Sequence, residues 1–332
     1  MAGSGDGNAE MSRLQGILRW SIEQQPAQQD ENRTETAATG VMSEERREFL
    51  RSALAGMQNA PTEADMMKTN LAIVDRVTAS IGEPSSLDNQ VHEELVERGT
   101  EALEALCDMC ENIDNANDMI PLGGFPVIEK AADATESSLQ TAAFELLGNL
   151  FQNNPRCQQH GLECNVLSKC IHHLDCSQVV GVRVKALYAT SCLVKDNHPA
   201  QAAFVEQDGY SALCRCLKSG VEKITTKAAF LVANMVAHSA SNTEFVLKSG
   251  VLDQLLALLS SNRTQSLEHV ARTVSYLIDV DGSCLKAACE HHSHLATSME
   301  ATIVALKRLE DDQYQDEIEN LEKLILTLKV CC

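Results

Sequence analysis

Aromatic side chains make up only 4% of the 332 residues, and the chain holds just 17 glycines and 7 prolines. A β-sandwich or barrel fills its core with aromatic and β-branched residues and turns its short strands with glycine and proline, so this poverty argues against both. Basic residues are scarce as well: 27 Lys and Arg against 47 Asp and Glu leave a formal charge of −20. Binding to a nucleic-acid duplex takes clustered cations to neutralise phosphates, and docking to anionic lipid takes the same, so neither nucleic acid nor a membrane is expected as a partner. No apolar run approaches the ~20 residues of a membrane span. Met1 to Glu10 is small, polar and acidic, with no apolar signal-peptide core. A cytosolic protein is expected.

What is present is helical material. Hydrophobic residues reach 44%, supplied mainly by Ala, Leu, Val and Ile. The 13 cysteines are an odd number scattered through these stretches, which reads as reduced thiols packed as small apolar groups. Residues 1–40 have the polar composition of a disordered arm. Within it Leu14, Ile17, Leu18 and Ile22 fall on one helical face, with Trp20 beside them.

From residue 41 the chain repeats itself. Asp108-Met109, Asn149-Leu150, Cys192-Leu193, Asn234-Met235 and Tyr276-Leu277 follow one another at intervals of 41, 43, 42 and 42 residues. Gly124, Gly161, Gly209 and Gly250 recur with the same mean spacing of 42. A helical period of about 40–47 residues belongs to armadillo and HEAT arrays. Each unit reads as a glycine turn, one apolar helix, a polar break and a longer second helix. The expected fold is therefore all-α, an armadillo-like α-solenoid of about four repeats at 101–284. Helical caps are expected at 41–100 and 285–332, because an array cannot leave its end faces bare.

The period also separates faces. Ala143/Leu147/Leu150, Ala186/Thr190/Leu193, Ala228/Val232/Met235 and Val270/Val274/Leu277 form the expected core stripe. The residues seven before each landmark are Ala142, Lys185, Lys227 and His269, two turns earlier on the landmark's face. Lys185, Lys227 and His269 would then make a basic row along the groove of an acidic protein. Ordinary solvated charges on a helix would read the same way.

Catalytic signatures are missing: there is no G-x-S-x-G, no phosphate loop ending in Gly-Lys-Ser/Thr and no H-E-x-x-H. Three clusters hold metal-type ligands: Cys107/Cys110, then Cys164/Cys170/His172/His173/Cys176, then Cys289/His291/His292/His294. Cys107/Cys110 is a C-x-x-C with no second pair at zinc-finger spacing, and the second cluster matches no standard zinc spacing. The third could collect a stray cation at a loop, and no metal or other cofactor is expected. The terminal Cys331-Cys332 resembles the prenylated tail of some small GTPases, but without a GTPase domain it reads as two thiols.

Three segments are more specific than the period. Met42-Ser-Glu-Glu-Arg-Arg-Glu-Phe-Leu50, Cys110-Glu-Asn-Ile-Asp-Asn-Ala-Asn-Asp118 and Val182-Arg-Val-Lys-Ala-Leu-Tyr-Ala-Thr-Ser-Cys-Leu-Val194 resemble the Hsp70-binding protein 1 family, armadillo-type nucleotide exchange factors of 70-kDa heat-shock chaperones. Leu14-Gln-Gly-Ile-Leu18 and Asp311 to Glu317 match in character. The resemblance implies a non-enzymatic co-chaperone, acting as a monomer, whose concave face grips lobe II of the chaperone's ATPase domain and promotes ADP release. It implies a contact surface at Ala116 and Lys227, joined by Glu111, Asn115, Asn153, Lys185 and Asn234. It also implies a client-mimicking role for Leu14, Ile17, Leu18 and Ile22. The alternative is a generic armadillo adaptor gripping an extended peptide. Against it, the landmark positions Asp108, Asn149, Cys192, Asn234 and Tyr276 form a broken asparagine ladder.

Overall fold

The computed structural model describes residues 43–49, 51, 61–82, 88–239, 241–261, 267–290, 292–308 and 314–331. Leu14, Ile17, Leu18 and Ile22 lie outside the described residues. The chain divides into the units Met1–Thr62 and Glu63–Cys332. In the first, residues 44–49 are helical and the Ser43 hydroxyl accepts from the Arg46 amide at 3.4 Å.

Every regular element described in the second unit is a helix. The pair α1 (Glu63–Gly82) and α2 (Asn89–Met109) comes first. Four three-helix repeats follow. They are α3 (Ile113–Asp118), α4 (Gly124–Ala132) and α5 (Ser137–Phe151); α6 (Pro155–Glu163), α7 (Val166–Cys176) and α8 (Val180–Val194); α9 (His198–Glu206), α10 (Gly209–Leu217) and α11 (Glu222–His238); and α12 (Asn242–Lys248), α13 (Val251–Leu259) and α14 (Leu267–Val280). The unit ends with α15 (Gly282–Glu290), α16 (His292–Lys307) and α17 (Gln315–Cys331).

The sequence period predicts two helices per repeat, and the structure has three. Two of the breaks between long helices hold a short helix with a proline at its start. Pro155 and Pro199 sit in the first turns of α6 and α9, where a missing N–H costs nothing. The Asn154 side chain caps α6 by accepting from the Cys157 amide at 3.3 Å, and Asn197 caps α9 through Ala200 at 3.1 Å. The expected glycine turns also need correction. The residues that turn the chain into each middle helix are Gly123, Asn165, Asp208 and Gly250, all with left-handed φ between 58° and 71°. Gly161 is no turn: it lies inside α6, where a Cβ would meet the Phe151 ring at 2.5 Å.

All twelve residues of the expected core stripe are buried. The long helices α2, α5, α8, α11 and α14 pack in succession, each against the next, and α17 packs on α14. Burying a Leu or Val side chain contributes roughly 1.5–3 kcal/mol, so the stripe is the main glue between repeats. Side-chain amides close the ends of these helices. Gln158 donates to the Phe151 carbonyl at 3.3 Å, Gln201 to Val194 at 3.0 Å and Asn242 to Met235 at 2.7 Å, each from seven residues further on. Gln158 also reaches the far end of its own repeat, donating to Cys192 O at 2.8 Å and Lys195 O at 3.0 Å at the end of α8.

Eleven cysteines among the described residues are free thiols, most of them buried, whereas Cys289 is in a disulfide. Burial pushes the Cys110 thiol up to about 12 and the Cys157 thiol up to about 11, so both stay protonated and act as small apolar groups.

Candidate functional site

The end of α2 turns sharply into α3. Asn112 makes this possible by accepting from the Asp114 amide at 3.0 Å, an N-cap that starts α3. Asn115 then closes the turn, donating to Glu63 Oε2 at 2.7 Å and to the Met109 carbonyl at 3.0 Å. It is buried by these contacts. Ala116 follows on the floor of a cleft of about 370 Å³, lined by Cys110, Glu111, Ile113, Asn149, Gln152, Asn153 and Asn154. The Cys157 thiol donates to the Ala116 carbonyl from beneath at 3.3 Å. Of the seven residues expected to touch a partner, Glu111, Ala116 and Asn153 line this cleft.

Tyr188 leads from the cleft to the later repeats. Its hydroxyl lies 3.1 Å from Asn149 Oδ1 and 3.0 Å from Gln152 Oε1, so α8 is tied to the cleft wall on α5. The ring reaches there because position 148 is glycine: a Cβ on Gly148 would lie 2.2 Å from Tyr188 Cε1. Lys227 of α11 lies over the ring, its Nζ 5.7 Å from the ring centroid. This cation–π contact holds an exposed ammonium at a fixed place. Lys195 adds a second link, donating to Asn153 Oδ1 at 3.1 Å. The result is a chain of contacts from Ala116, itself buried at the cleft, through Asn149 and Tyr188 to Lys227.

The other expected residues are placed differently. Lys185 is half-buried and paired with Glu145 at 2.5 Å, so its charge is neutralised within the chain. Asn234 is half-buried, two turns beyond Lys227 on the same face of α11. His269 is half-buried at the equivalent place on α14. The sequence reading missed Tyr188, Gly148, Gln152 and Lys195. Gly148 was the available signal, since a glycine inside a helix of good formers costs about 1 kcal/mol and needs a packing reason.

No group of three or more His, Cys, Asp or Glu side chains among the described residues is placed to hold a metal ion. His173, from the densest Cys/His stretch, packs against Phe144 with ring centroids 5.0 Å apart. Burial holds its imidazole below the usual range. No described helix is long and apolar enough to cross a membrane.

The profile of the SIL1/FES1/HPBP1 C-terminal domain matches residues 115–244, from the Asn115 turn to the start of α12. That of nucleotide exchange factor Fes1 matches residues 14–119, and an armadillo/β-catenin-like repeat matches 239–279. The rat protein Hsp70-binding protein 1 is 30% identical over 97% of this chain and 87% of its own length. The chain belongs to the SIL1/FES1/HPBP1 family. The mouse Hsp70-binding protein 1 is 31% identical over 95% of this chain and 85% of its own. The Hsp70 nucleotide exchange factor FES1 of Mycosarcoma maydis is 35% identical over 37% of this chain and 32% of its own. Among solved structures, a designed armadillo repeat protein superposes with a TM-score of 0.55 at 16% identity, over 77% of this chain and 99% of that one. That likeness shows the armadillo fold. Within the family's matched region lie the Asn115–Ala116 turn, the Tyr188 contacts and Lys227, while Glu111 falls in the N-terminal match.

Proposed function

We propose that this protein is a nucleotide exchange factor for a cytosolic 70-kDa heat-shock chaperone. The surface running from Ala116 to Lys227 is its concave, partner-binding face and meets lobe II of the chaperone's ATPase domain. What carries the reading is the joining of Ala116 and Lys227 by one chain of contacts through Asn149 and Tyr188. Both residues belong to the surface expected from the family resemblance. The family's relatives bear the names Hsp70-binding protein and Hsp70 nucleotide exchange factor.

In this mechanism the protein performs no covalent chemistry and needs no cofactor. It prefers an ATPase domain whose cleft is open, whereas bound ADP prefers the closed one, so each lowers the other's affinity by the same factor. Ala116 is small because the partner's backbone approaches the cleft floor. Glu111 and Asn153 supply polar contacts around it and Asn234 supplies one on the face of Lys227, while Asn115 and Lys185 act through the turn and the Glu145 pair that they hold. The complex is one-to-one, with a monomeric factor. Leu14, Ile17, Leu18 and Ile22 would serve client release from the arm.

Stopped-flow release of a fluorescent ADP analogue from the chaperone tests this reading. Acceleration by wild type, lost in Ala116→Arg and Lys227→Ala with helicity unchanged, is the expected result. No acceleration by wild type overturns the exchange function and leaves the peptide-adaptor reading. Acceleration by all three forms overturns the choice of face.

A further inference from the structure

Phe230 is the most exposed aromatic side chain among the described residues, at 59%. The repeat explains its posture. Position 230 on α11 corresponds to position 188 on α8, 42 residues earlier, and position 191 corresponds to 148, 43 residues earlier, which are the repeat intervals at these two steps. Tyr188 lies flat because Gly148 has no Cβ to meet its ring. Ser191 carries a Cβ at the corresponding place, and the ring one repeat later is exposed rather than packed down. Nor does the hydroxyl have a counterpart. Asn149 and Gln152, which accept from Tyr188, are replaced by Cys192 and Lys195, a poor acceptor and a pure donor, and position 230 is accordingly Phe.

Phe230 therefore projects from the same face as Lys227, three residues before it, and Asn234, four after it. The cations along this face differ in a telling way. Lys185 is paired with Glu145 and Arg272 with Glu268, whereas Lys227 is held by the Tyr188 ring rather than by a carboxylate. An apolar ring and an exposed ammonium thus stand side by side on a rigid helix.

We propose that Phe230 is the apolar anchor of the partner-binding face. It seats in an apolar pocket of a folded partner whose rim presents a carboxylate to Lys227. The proposal rests on the reading of this face as the chaperone-binding surface and names the chemistry that the chaperone's ATPase domain must offer there. Large aromatic side chains seated in desolvated pockets dominate the energetics of such interfaces.

The test is isothermal titration of the full-length chain with the ADP-bound ATPase domain of a cytosolic 70-kDa chaperone, with melting temperatures measured alongside. Phe230→Ala is expected to bind about thirtyfold more weakly with an unchanged melting temperature. Ser191→Gly removes the Cβ under the ring, lets it lie down on α8 and weakens binding although Phe230 is still present. Adding Phe230→Ala to Ser191→Gly gives no more than the loss from Phe230→Ala alone. If wild type binds and Phe230→Ala matches it, the anchor is overturned while the exchange function stands. A Ser191→Gly chain with wild-type affinity overturns the account of the ring's posture. Wild type that fails to bind overturns the functional reading and the anchor together.

Discussion

Two rows of residues run side by side along α5, α8, α11 and α14 at the same 42-residue period. The inner row, from Ala143 to Leu277, is small or aliphatic at nearly every place and buried at all of them. The outer row changes character with each repeat: Ala142 is buried, Lys185 is in an ion pair, Lys227 lies on a ring and His269 is half-buried. A stacking surface must present the same shape to each neighbour, so the period enforces uniformity there. A surface facing one folded partner meets different chemistry at each repeat, and uniformity would serve only a repetitive ligand such as an extended peptide. The contrast itself therefore favours a folded partner over a peptide groove.

The sharpest way to break this contrast is to cut the inner row. Leu193→Ala leaves a cavity between α8 and its neighbours and is expected to cost about 2–5 kcal/mol, read as a lowered denaturation midpoint. Its folded fraction should accelerate ADP release as wild type does. A large loss of exchange per folded molecule would mean that the two rows are not separable.

Next comes the far end of the stack, where α17 packs on α14. Glu317 is buried there, and its Oε1 has no hydrogen-bond partner. Burial first, and then Glu268, raise its carboxyl to about 7. The folded state thus holds this proton more tightly than the unfolded chain, and stability falls as pH climbs from about 4.5 to 7. Glu317→Gln is expected to be about 2 kcal/mol more stable than wild type at pH 8 and nearly equal to it at pH 4.5. Denaturant melts at the two pH values decide the matter, and a gain of equal size at both would assign it to something other than ionisation.

Gly148→Ala probes the boundary between the rows. The new methyl collides with the Tyr188 ring, so a stability loss of about 1–2 kcal/mol is expected together with slower ADP release. Adding Tyr188→Leu should recover part of the stability but not the exchange, since Lys227 then has no ring beneath it. The smallest stability effect belongs to the outer row. Lys227→Ala should change stability by less than about 0.5 kcal/mol while abolishing accelerated release. A clear drop in its melting temperature would mark Lys227 as a structural residue.

Much of the fold is legible in the chain because a stack of equal units repeats its burial pattern. Leu147, Leu193, Val232 and Val274 fall to the core on the period alone, since each recurs with its repeat. The short helices α6 and α9 are not legible, because their Asn-Pro and Asn-His-Pro starts also read as loop signals. Gly161 misleads for a similar reason: glycine serves close packing as well as turns, and here the turns fall on Asn165 and Asp208. At the candidate site, Ala116 and Lys227 come from resemblance, and Lys227 from the period as well. Tyr188 stays hidden because its role depends on what Gly148 lacks and on a lysine 39 residues further along the chain. No local pattern carries such a coincidence.

Gln158 has a mechanical consequence. Its side-chain amide reaches the carbonyls of Phe151, Cys192 and Lys195 at once, tying the ends of α5 and α8 to one buried group. Gln201, the equivalent residue one repeat later, donates to Val194 at the end of α8 and, among the described residues, makes no further bond to the end of α11. The ends of α5 and α8 thus share one buried group and those of α8 and α11 do not, so the second joint is expected to be the softer place in the stack. Load applied at Lys227 would flex the array at this joint before it disturbed the cleft over Ala116. The molecule should behave as a rigid jaw with a sprung arm.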